Sequence, residues 1–282
     1  MSLYRHQEDR LPSLVVALAF SAQLLAFFLL ESLWTLIGYA LFHLSISATL
    51  GSISHNHHHI ATFKHRLLNR CYEVILFLQT GVPPYAWTLH HNLGHHRHYL
   101  NPKLDPSAWQ TRRGTMNRVK YDLYNSLMIY PEIIRIGRSS PYLLSQFYRW
   151  GAISLAVLAL LVLINPLNAL IIFIAPMPIM LIGLLDNTYQ QHQGLDMNSD
   201  YTASRNTTNR LYNLISWNLG YHTAHHLYPG VHWSKLPQKH AEIEHLIPEE
   251  LVGNSVFVSR CGKPATKVVC RTDKQQPLSW SR

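Results

Sequence analysis

Three short histidine-rich runs contain the residues of this chain best suited to chemistry. They read HNHHH at 55–59, HHNLGHHRH at 90–98 and HTAHH at 222–226, and the chain holds 19 histidines in 282 residues. A neutral imidazole nitrogen is a common ligand for iron, zinc or copper. The runs hold more imidazoles than one four-coordinate zinc needs, so they predict two metal ions.

The spacing within each run fits one face of a helix, on which residues three and four positions apart are neighbours. On that pattern each run aims two or three imidazoles at one point. The predicted ligands from the three runs are His55, His59, His91, His95, His96, His222, His225 and His226. The surplus histidines are expected at the surface or as partners of ligands, and they are His57, His58, His90 and His98.

Four apolar segments predict helices that cross a membrane, at 12–30, 33–54, 145–164 and 167–185. Each is close to the roughly 20 residues that span a bilayer core. Charged residues are only 14% of the chain, well below the roughly 25% of soluble domains. Very short turns join the segments in pairs. The sequence therefore predicts an all-α membrane protein of two helical hairpins, with a cytosolic helical cap that holds the dimetal site.

Charge placement predicts the orientation of these spans. The two outer turns carry Glu31 and no basic residue, whereas the N-terminus, 55–140 and the chain after 186 carry nearly all of them. The positive-inside rule places those regions, both termini and all three histidine runs on the cytoplasmic face. The net charge of +9 then suits an anionic membrane surface. Without a basic helix or zinc-finger spacing, we expect no nucleic acid partner.

The chain divides into a membrane domain at 1–252 and a polar, irregular tail at 253–282. Cys71, Cys261 and Cys270 form no C-x-x-C pair, so a disulfide framework or a built-in iron–sulfur centre is not expected.

The three runs resemble the histidine boxes of the integral-membrane fatty acid desaturase and hydroxylase superfamily. His55-x-x-x-His59 resembles the first box, and HNLGHH at 91–96 resembles the second. The stretch NLGYHTAHHLYPGVHWSKLP at 218–237 is similar to the third-box region of acyl desaturases. The resemblance covers residues from about 12 to 245 and implies four membrane helices under a cytosolic domain.

The resemblance also implies two ferrous ions, dioxygen as co-substrate and two electrons from an external donor. A ferredoxin or rubredoxin-like protein with its reductase is the expected donor. The family places one further histidine between the second and third boxes, and His192 is the histidine in that position. Asn187, Asn218 and His58 are candidates for water-mediated contacts or for positions beside the ligands.

Three residues are candidates to line a substrate tunnel for an aliphatic, fatty acyl chain. His43 is an ionisable residue deep in the second span, a position that is often functional; the alternative is a neutral imidazole bonded between helices. Trp87 and Trp109 flank the second box, although interfacial tryptophans are common.

Fatty acid desaturation is the reaction that the sequence favours, by removal of two hydrogens from an unactivated carbon chain. The second box has three residues between its first two histidines, where acyl desaturases usually have two. That departure leaves a hydroxylase or an oxidative, terminal-alkene-forming decarboxylase open on the same scaffold. A metal transporter with histidine-rich loops is a remote alternative, because the spans contain no acid and only His43. A non-catalytic membrane scaffold is equally remote.

Overall fold

Helices make up nearly all regular structure in the computed structural model, which describes residues 2–111 and 114–261. The α-helices are α1 (Arg10–Leu29), α2 (Leu33–Ser45), α3 (Ser47–His59), α4 (Arg66–Thr80), α5 (Arg118–Gly137), α6 (Pro141–Ile164), α7 (Pro166–Ala169), α8 (Pro176–His192), α9 (Arg210–Ile215), α10 (His222–Leu227) and α11 (Leu236–Ile243). Segments Thr88–His96 and Leu170–Ile174 are π-helical. Single 3-10 turns occupy Gln7–Asp9, Trp233–Lys235, Glu244–Leu246, Glu249–Leu251 and Val258–Arg260.

Strands are confined to two-residue pairs in this part of the chain. β1 (Gln110–Thr111) pairs antiparallel with β2 (Gly114–Thr115). β3 (Asn206–Thr207) pairs in parallel with β4 (Val252–Gly253). The predicted all-α class is therefore confirmed.

Among the described residues, three helical stretches are long and apolar enough to cross a membrane, namely Gln7–Leu29, Pro141–Ile164 and Pro166–His192. A fourth span is available if α2 and α3 count as one broken helix. These stretches cover the four predicted segments. The chain is thus an integral membrane protein with three or four candidate spans.

The predicted second span is interrupted at Ile46, where α2 and α3 meet at an angle of 52°. The Ser45 hydroxyl donates a 2.6 Å hydrogen bond to the Phe42 carbonyl. Serine side chains that bond back to the helix backbone compete with the regular ladder and bend helices. The break directs α3, and with it His55 and His59, away from the axis of α2.

Asn168 joins the turns of the two helical hairpins. Its side-chain amide donates to the carbonyls of Phe27, at 2.8 Å, and Leu30, at 2.9 Å. Deeper in the bundle, the Gln23 amide donates to the carbonyls of Leu78 and Ile172. These bonds satisfy backbone groups where water is absent and fix the first hairpin against the second.

Helix α5 is an element that the sequence reading missed. It buries Tyr121 and Ile133 against the rest of the cap while Val119, Leu123 and Leu127 stay exposed. Its apolar outer face and scattered charges hide the usual amphipathic pattern. The predicted polar tail falls largely outside the described residues. In its described part, Val258 and Cys261 are buried.

The predicted orientation can be checked by cysteine labelling in a chain whose native cysteines are replaced by serine. Ser32 and Leu167 are exposed in the turns of the two hairpins, which are predicted to lie outside. We expect Ser32→Cys and Leu167→Cys to react with a membrane-impermeant maleimide from the outer side of intact cells, because the basic regions stay in the cytoplasm. The control Lys64→Cys should react only after permeabilisation, and the reverse pattern would refute this topology.

Candidate metal centre

Histidine nitrogens converge into two adjacent groups in the cap. The first cluster consists of His55, His59, His91, His96 and His225. The second cluster consists of His95, His192 and His226, and His222 adjoins it. In each of the two groups the ligand atoms lie within 4.8 Å of one another. The nine histidines named from sequence therefore lie together, divided five and four.

A π-helix divides the second run between the clusters. His91 and His96 both belong to the first cluster, while His95 belongs to the second. In a π-helix residues five apart are bonded neighbours, so His91 and His96 share a face. The expectation that each run aims at a single point therefore fails for this run.

Other elements supply the remaining histidines. His55 and His59 lie on the last turns of α3, and the end of α8 supplies His192. Helix α10 is also divided, since His222 and His226 face the second cluster and His225 faces the first. Each cluster is thus assembled from several segments that are distant in sequence.

Ring-nitrogen separations match the edges of a metal coordination shell. In the first cluster, Nε2 of His91 lies 2.8 Å from Nε2 of His55 and 3.0 Å from Nε2 of His96. In the second, Nε2 of His222 lies 3.1 Å from that of His192 and 3.2 Å from that of His226. With metal–nitrogen bonds of about 2.1 Å, ligands at right angles are about 3.0 Å apart and tetrahedral ligands about 3.4 Å apart.

The same nitrogens cannot all be satisfied by hydrogen bonds to one another. Nε2 of His96 lies within 3.0 Å of the Nε2 atoms of both His91 and His225, but a neutral nitrogen has either one proton or one lone pair. The buried Nε2 of His95 has no hydrogen-bond partner among the described residues. A cation shared by these lone pairs resolves both observations, so the residues fit a metal at each cluster.

Burial keeps these rings in the form that binds metal. It lowers the pKa of His91, His96 and His225 well below the usual value, and the neighbouring imidazoles lower each pKa further. The same causes act on His222 and His226. These five imidazole rings are therefore neutral at pH 7, and metal binding does not have to compete with their protonation.

Hydrogen bonds on the outward nitrogens orient two rings of the second cluster. Nδ1–H of His95 donates to the Asp105 carboxylate at 3.0 Å, and Nδ1–H of His192 donates to the Ala203 carbonyl at 2.7 Å. Burial alone would raise the pKa of Asp105, but His95 and the Ser107 amide outweigh it and lower that pKa. The sequence analysis missed Asp105. The sequence gives no signal for it except that it follows His95 by ten residues.

We expect Asp105→Asn to weaken metal binding at the second cluster about 10- to 100-fold, since carboxylates behind histidine ligands fix their tautomer and basicity. Metal titration followed by elemental analysis measures the effect. Asp122→Asn is the control, because Asp122 is a half-buried carboxylate outside both clusters. Equal metal affinity in the two variants would contradict this role.

The predicted water-mediated or supporting residues lie outside both clusters. Nδ1–H of His58 donates to the Ser54 carbonyl at 2.6 Å. The Asn218 amide donates to the Trp233 carbonyl at 3.3 Å, and the Asn187 carbonyl accepts from the Tyr212 hydroxyl at 3.3 Å. Their part in a water-mediated contact stays a prediction.

The tunnel candidates occupy three different environments. His43 is buried in α2, and its Nε2 donates to the Gln79 carbonyl at 2.8 Å, which is the arrangement of a neutral imidazole between helices. The buried ring of Trp87 stacks on His91, with centroids 5.3 Å apart. Trp109 lines a small pocket together with His192 and Met197. The two tryptophans therefore lie beside the two clusters.

The surplus histidines form other contacts. Nε2–H of His57 donates to the Glu73 carboxylate at 3.3 Å, and Arg70 pairs with the second oxygen of Glu73. Burial lowers the pKa of His90 to about 4, and His98 is half-buried. None of the three belongs to either cluster within the ranges described.

Comparison with known proteins adds one finding. The sequence profile described as "Fatty acid desaturase" matches residues 11–255, a range that contains both clusters. A search of curated protein sequences gives no significant match.

Proposed function

The chain belongs to the fatty acid desaturase family of histidine-box diiron oxidoreductases, and from this premise we propose that it introduces a double bond into a fatty acyl chain. The observation that supports this most is the pair of adjoining clusters, with the nine histidines divided five and four. Five nitrogen ligands at one site exceed the four of a tetrahedral zinc centre. The near-right-angle separations also favour a six-coordinate metal, so we assign iron to both sites.

When bound, the iron pair supplies the oxidising power that removes hydrogen from an unactivated carbon, with dioxygen and two electrons as co-reactants. The overall reaction consumes one dioxygen, two electrons and two protons, and yields one double bond and two waters. The protein's part is to position and to exclude water. Asp105 and the Ala203 carbonyl fix His95 and His192, and the Trp87 ring covers His91.

The small pocket beside His192 has a mixed lining, with the polar residues Asp105 and Ser107 as well as apolar ones. Trp109 and Met197 give it apolar walls, and Tyr99 packs on His226 with ring centroids 4.1 Å apart. The substrate, the cytoplasmic position of the site and the ferredoxin- or rubredoxin-like donor all belong to this proposal.

The long second box does not favour hydroxylation once its backbone is considered. A π-helical turn accommodates one residue more than an α-helical turn. The extra residue between His91 and His95 is absorbed in this way, because His91 and His96 converge on the same cluster. The spacing is therefore compatible with desaturation, and product identity has to separate it from hydroxylation or decarboxylation.

The test is metal content and product identity for the purified, full-length protein in lipid nanodiscs. We expect two irons per chain and an alkene product from a fed fatty acyl substrate with a reduced ferredoxin. His96→Ala is the matched control and should lose iron from the first cluster together with product. An alcohol or a shortened terminal alkene would reassign the reaction, and a zinc protein that iron cannot activate would refute the proposal.

A further inference from the structure

A continuous series of contacts leads from the first cluster to the surface formed by the N-terminal segment. It begins at Asn56, whose side-chain oxygen Oδ1 lies 3.3 Å from Nδ1 of His55. The Asn56 amide donates to the Trp217 carbonyl at 3.1 Å. Asn56 thus connects the ring of His55 to the main chain of the buried Trp217 through two hydrogen bonds.

Two tryptophans extend this series outward. The rings of Trp217 and Trp233 meet edge to face, with centroids 5.2 Å apart. Trp217 is buried and Trp233 is half-buried. Nε1–H of Trp233 donates to the Asp9 carboxylate at 2.9 Å. The path therefore ends at the N-terminal segment, where His6 stacks on His232 at 4.1 Å.

The backbone at the centre of the path is held in an uncommon conformation. Trp217 and Asn218 both have left-handed backbone angles, with φ of 51° and 68°. For a bulky residue this is unfavourable and persists only where its surroundings enforce it. The Asn218 side-chain amide donates to the main-chain carbonyl of Trp233, and the Asn56 side-chain amide donates to that of Trp217, so both tryptophans are held through their main chain.

Basic residues surround the outer end of this path. Arg5, Lys64 and Lys235 are exposed, and we call these three residues the entry patch. The Arg5 amide bonds to the Thr62 carbonyl, the Lys64 amide to the Leu3 carbonyl and the Lys235 amide to the His232 carbonyl. 

The charge of the entry patch is not neutralised within the described structure. None of its three cations forms an ion pair there. The one exposed acid in the N-terminal segment beside the patch is Glu8, since Asp9 is buried against His232 and Trp233. A surface of unpaired cations steers an acidic partner and accelerates its association.

We infer that the entry patch docks a small acidic iron–sulfur protein, and that Trp233, Trp217 and Asn56 carry its electron to the metal of the first cluster. This inference rests on the proposed function. Each reduced carrier loses one electron and the metal pair gains it, so two carriers are oxidised per turnover. No bond forms or breaks at the tryptophans, which act by bridging the gap between carrier and metal with polarisable rings.

The experiment measures reduction of the iron-loaded protein in nanodiscs by stopped-flow absorbance, with two reductants. Reduced plant-type ferredoxin must dock, whereas dithionite with methyl viologen needs no specific surface. The charge-reversal variant carries Arg5→Glu, Lys64→Glu and Lys235→Glu. Its matched control carries Lys120→Glu, Arg138→Glu and Arg149→Glu, three exposed cations on α5 and α6 or between them. Trp233→Leu and Trp233→Phe test the path separately from the patch.

Reversal of the entry patch should slow reduction by ferredoxin about tenfold or more at low salt and weaken ferredoxin binding measured by interferometry. The control reversal should change neither. Trp233→Leu should slow electron arrival without weakening binding, and Trp233→Phe should restore part of the rate. Dithionite should reduce all variants equally.

Equal ferredoxin rates in the two charge-reversal variants would overturn the docking site. A wild-type rate in Trp233→Leu would overturn the path. A protein that holds no iron, or that dithionite cannot reduce, would overturn the proposed function and this inference together, and is distinguishable from both other results.

Discussion

His192→Ala should abolish turnover about as completely as His222→Ala and should lower the iron content from two per chain towards one. His192 comes from the end of α8, and its Nε2 lies 3.1 Å from Nε2 of His222. The Ala203 carbonyl holds the other nitrogen of its ring. Residues that act as one catalytic unit lose most activity on any single removal, and their effects do not add.

Elemental analysis and single-turnover assays on the same preparation measure this effect. His240→Ala is the matched control, because His240 is also a buried histidine but belongs to neither cluster. It should cost some stability and keep both irons. If His192→Ala retains two irons and normal turnover, the second site closes without this residue, and the five-and-four division of ligands is wrong.

Gly220→Ala should displace the third histidine run and cost about 1–3 kcal/mol of stability through overpacking. A Cβ at this position would lie 2.5 Å from the Thr207 carbonyl oxygen and 2.5 Å from Oδ1 of Asn213. The first of these is backbone, so no change of rotamer relieves it. Thr207 also donates its amide to the Gly220 carbonyl at 2.9 Å, and this contact fixes the chain two residues before His222.

Iron content and thermal unfolding of the purified variant measure the result, and we expect loss of iron from the second cluster first. Gly230→Ala is the control from the loop that follows the same histidine run. A Cβ there would meet nothing within 4 Å, so this variant should keep both irons and its stability. Equal behaviour of the two variants would show that the turn at Gly220 has room to adjust.

The apolar segments were predictable because each is long, uncharged and clearly bounded. The segment predicted at 145–164 ends at the same residue as α6, where Asn165 and Pro166 stop the helix. The break at Ile46 was not predictable from hydropathy, because the segment at 33–54 is apolar on both sides of it and the Ser45 bond to the Phe42 carbonyl leaves no hydropathy signal. Helix α5 was missed because it carries apolar residues on its exposed side, Val119, Leu123 and Leu127, as well as on its buried side.

Eight of the nine clustered histidines were named from the three runs and His192 from the family resemblance, but their division into two clusters was not predicted. Helical spacing groups His91 with His95, whereas the π-helix groups His91 with His96. A single extra backbone residue per turn makes that difference, and no side chain signals it. Asp105 and Asn56 escaped notice for another reason, since residues that orient a ligand through hydrogen bonds carry no spacing rule.

The break at Ile46 makes this region sensitive to the thickness of the lipid bilayer. Helix α2 has 13 residues and is about 20 Å long, against a hydrocarbon core of about 30 Å. Helix α6 has 24 residues and can match that core by tilting. Hydrophobic mismatch therefore concentrates where α2 meets α3, at the start of the helix that carries His55 and His59. A thicker bilayer strains the first cluster before it strains the second.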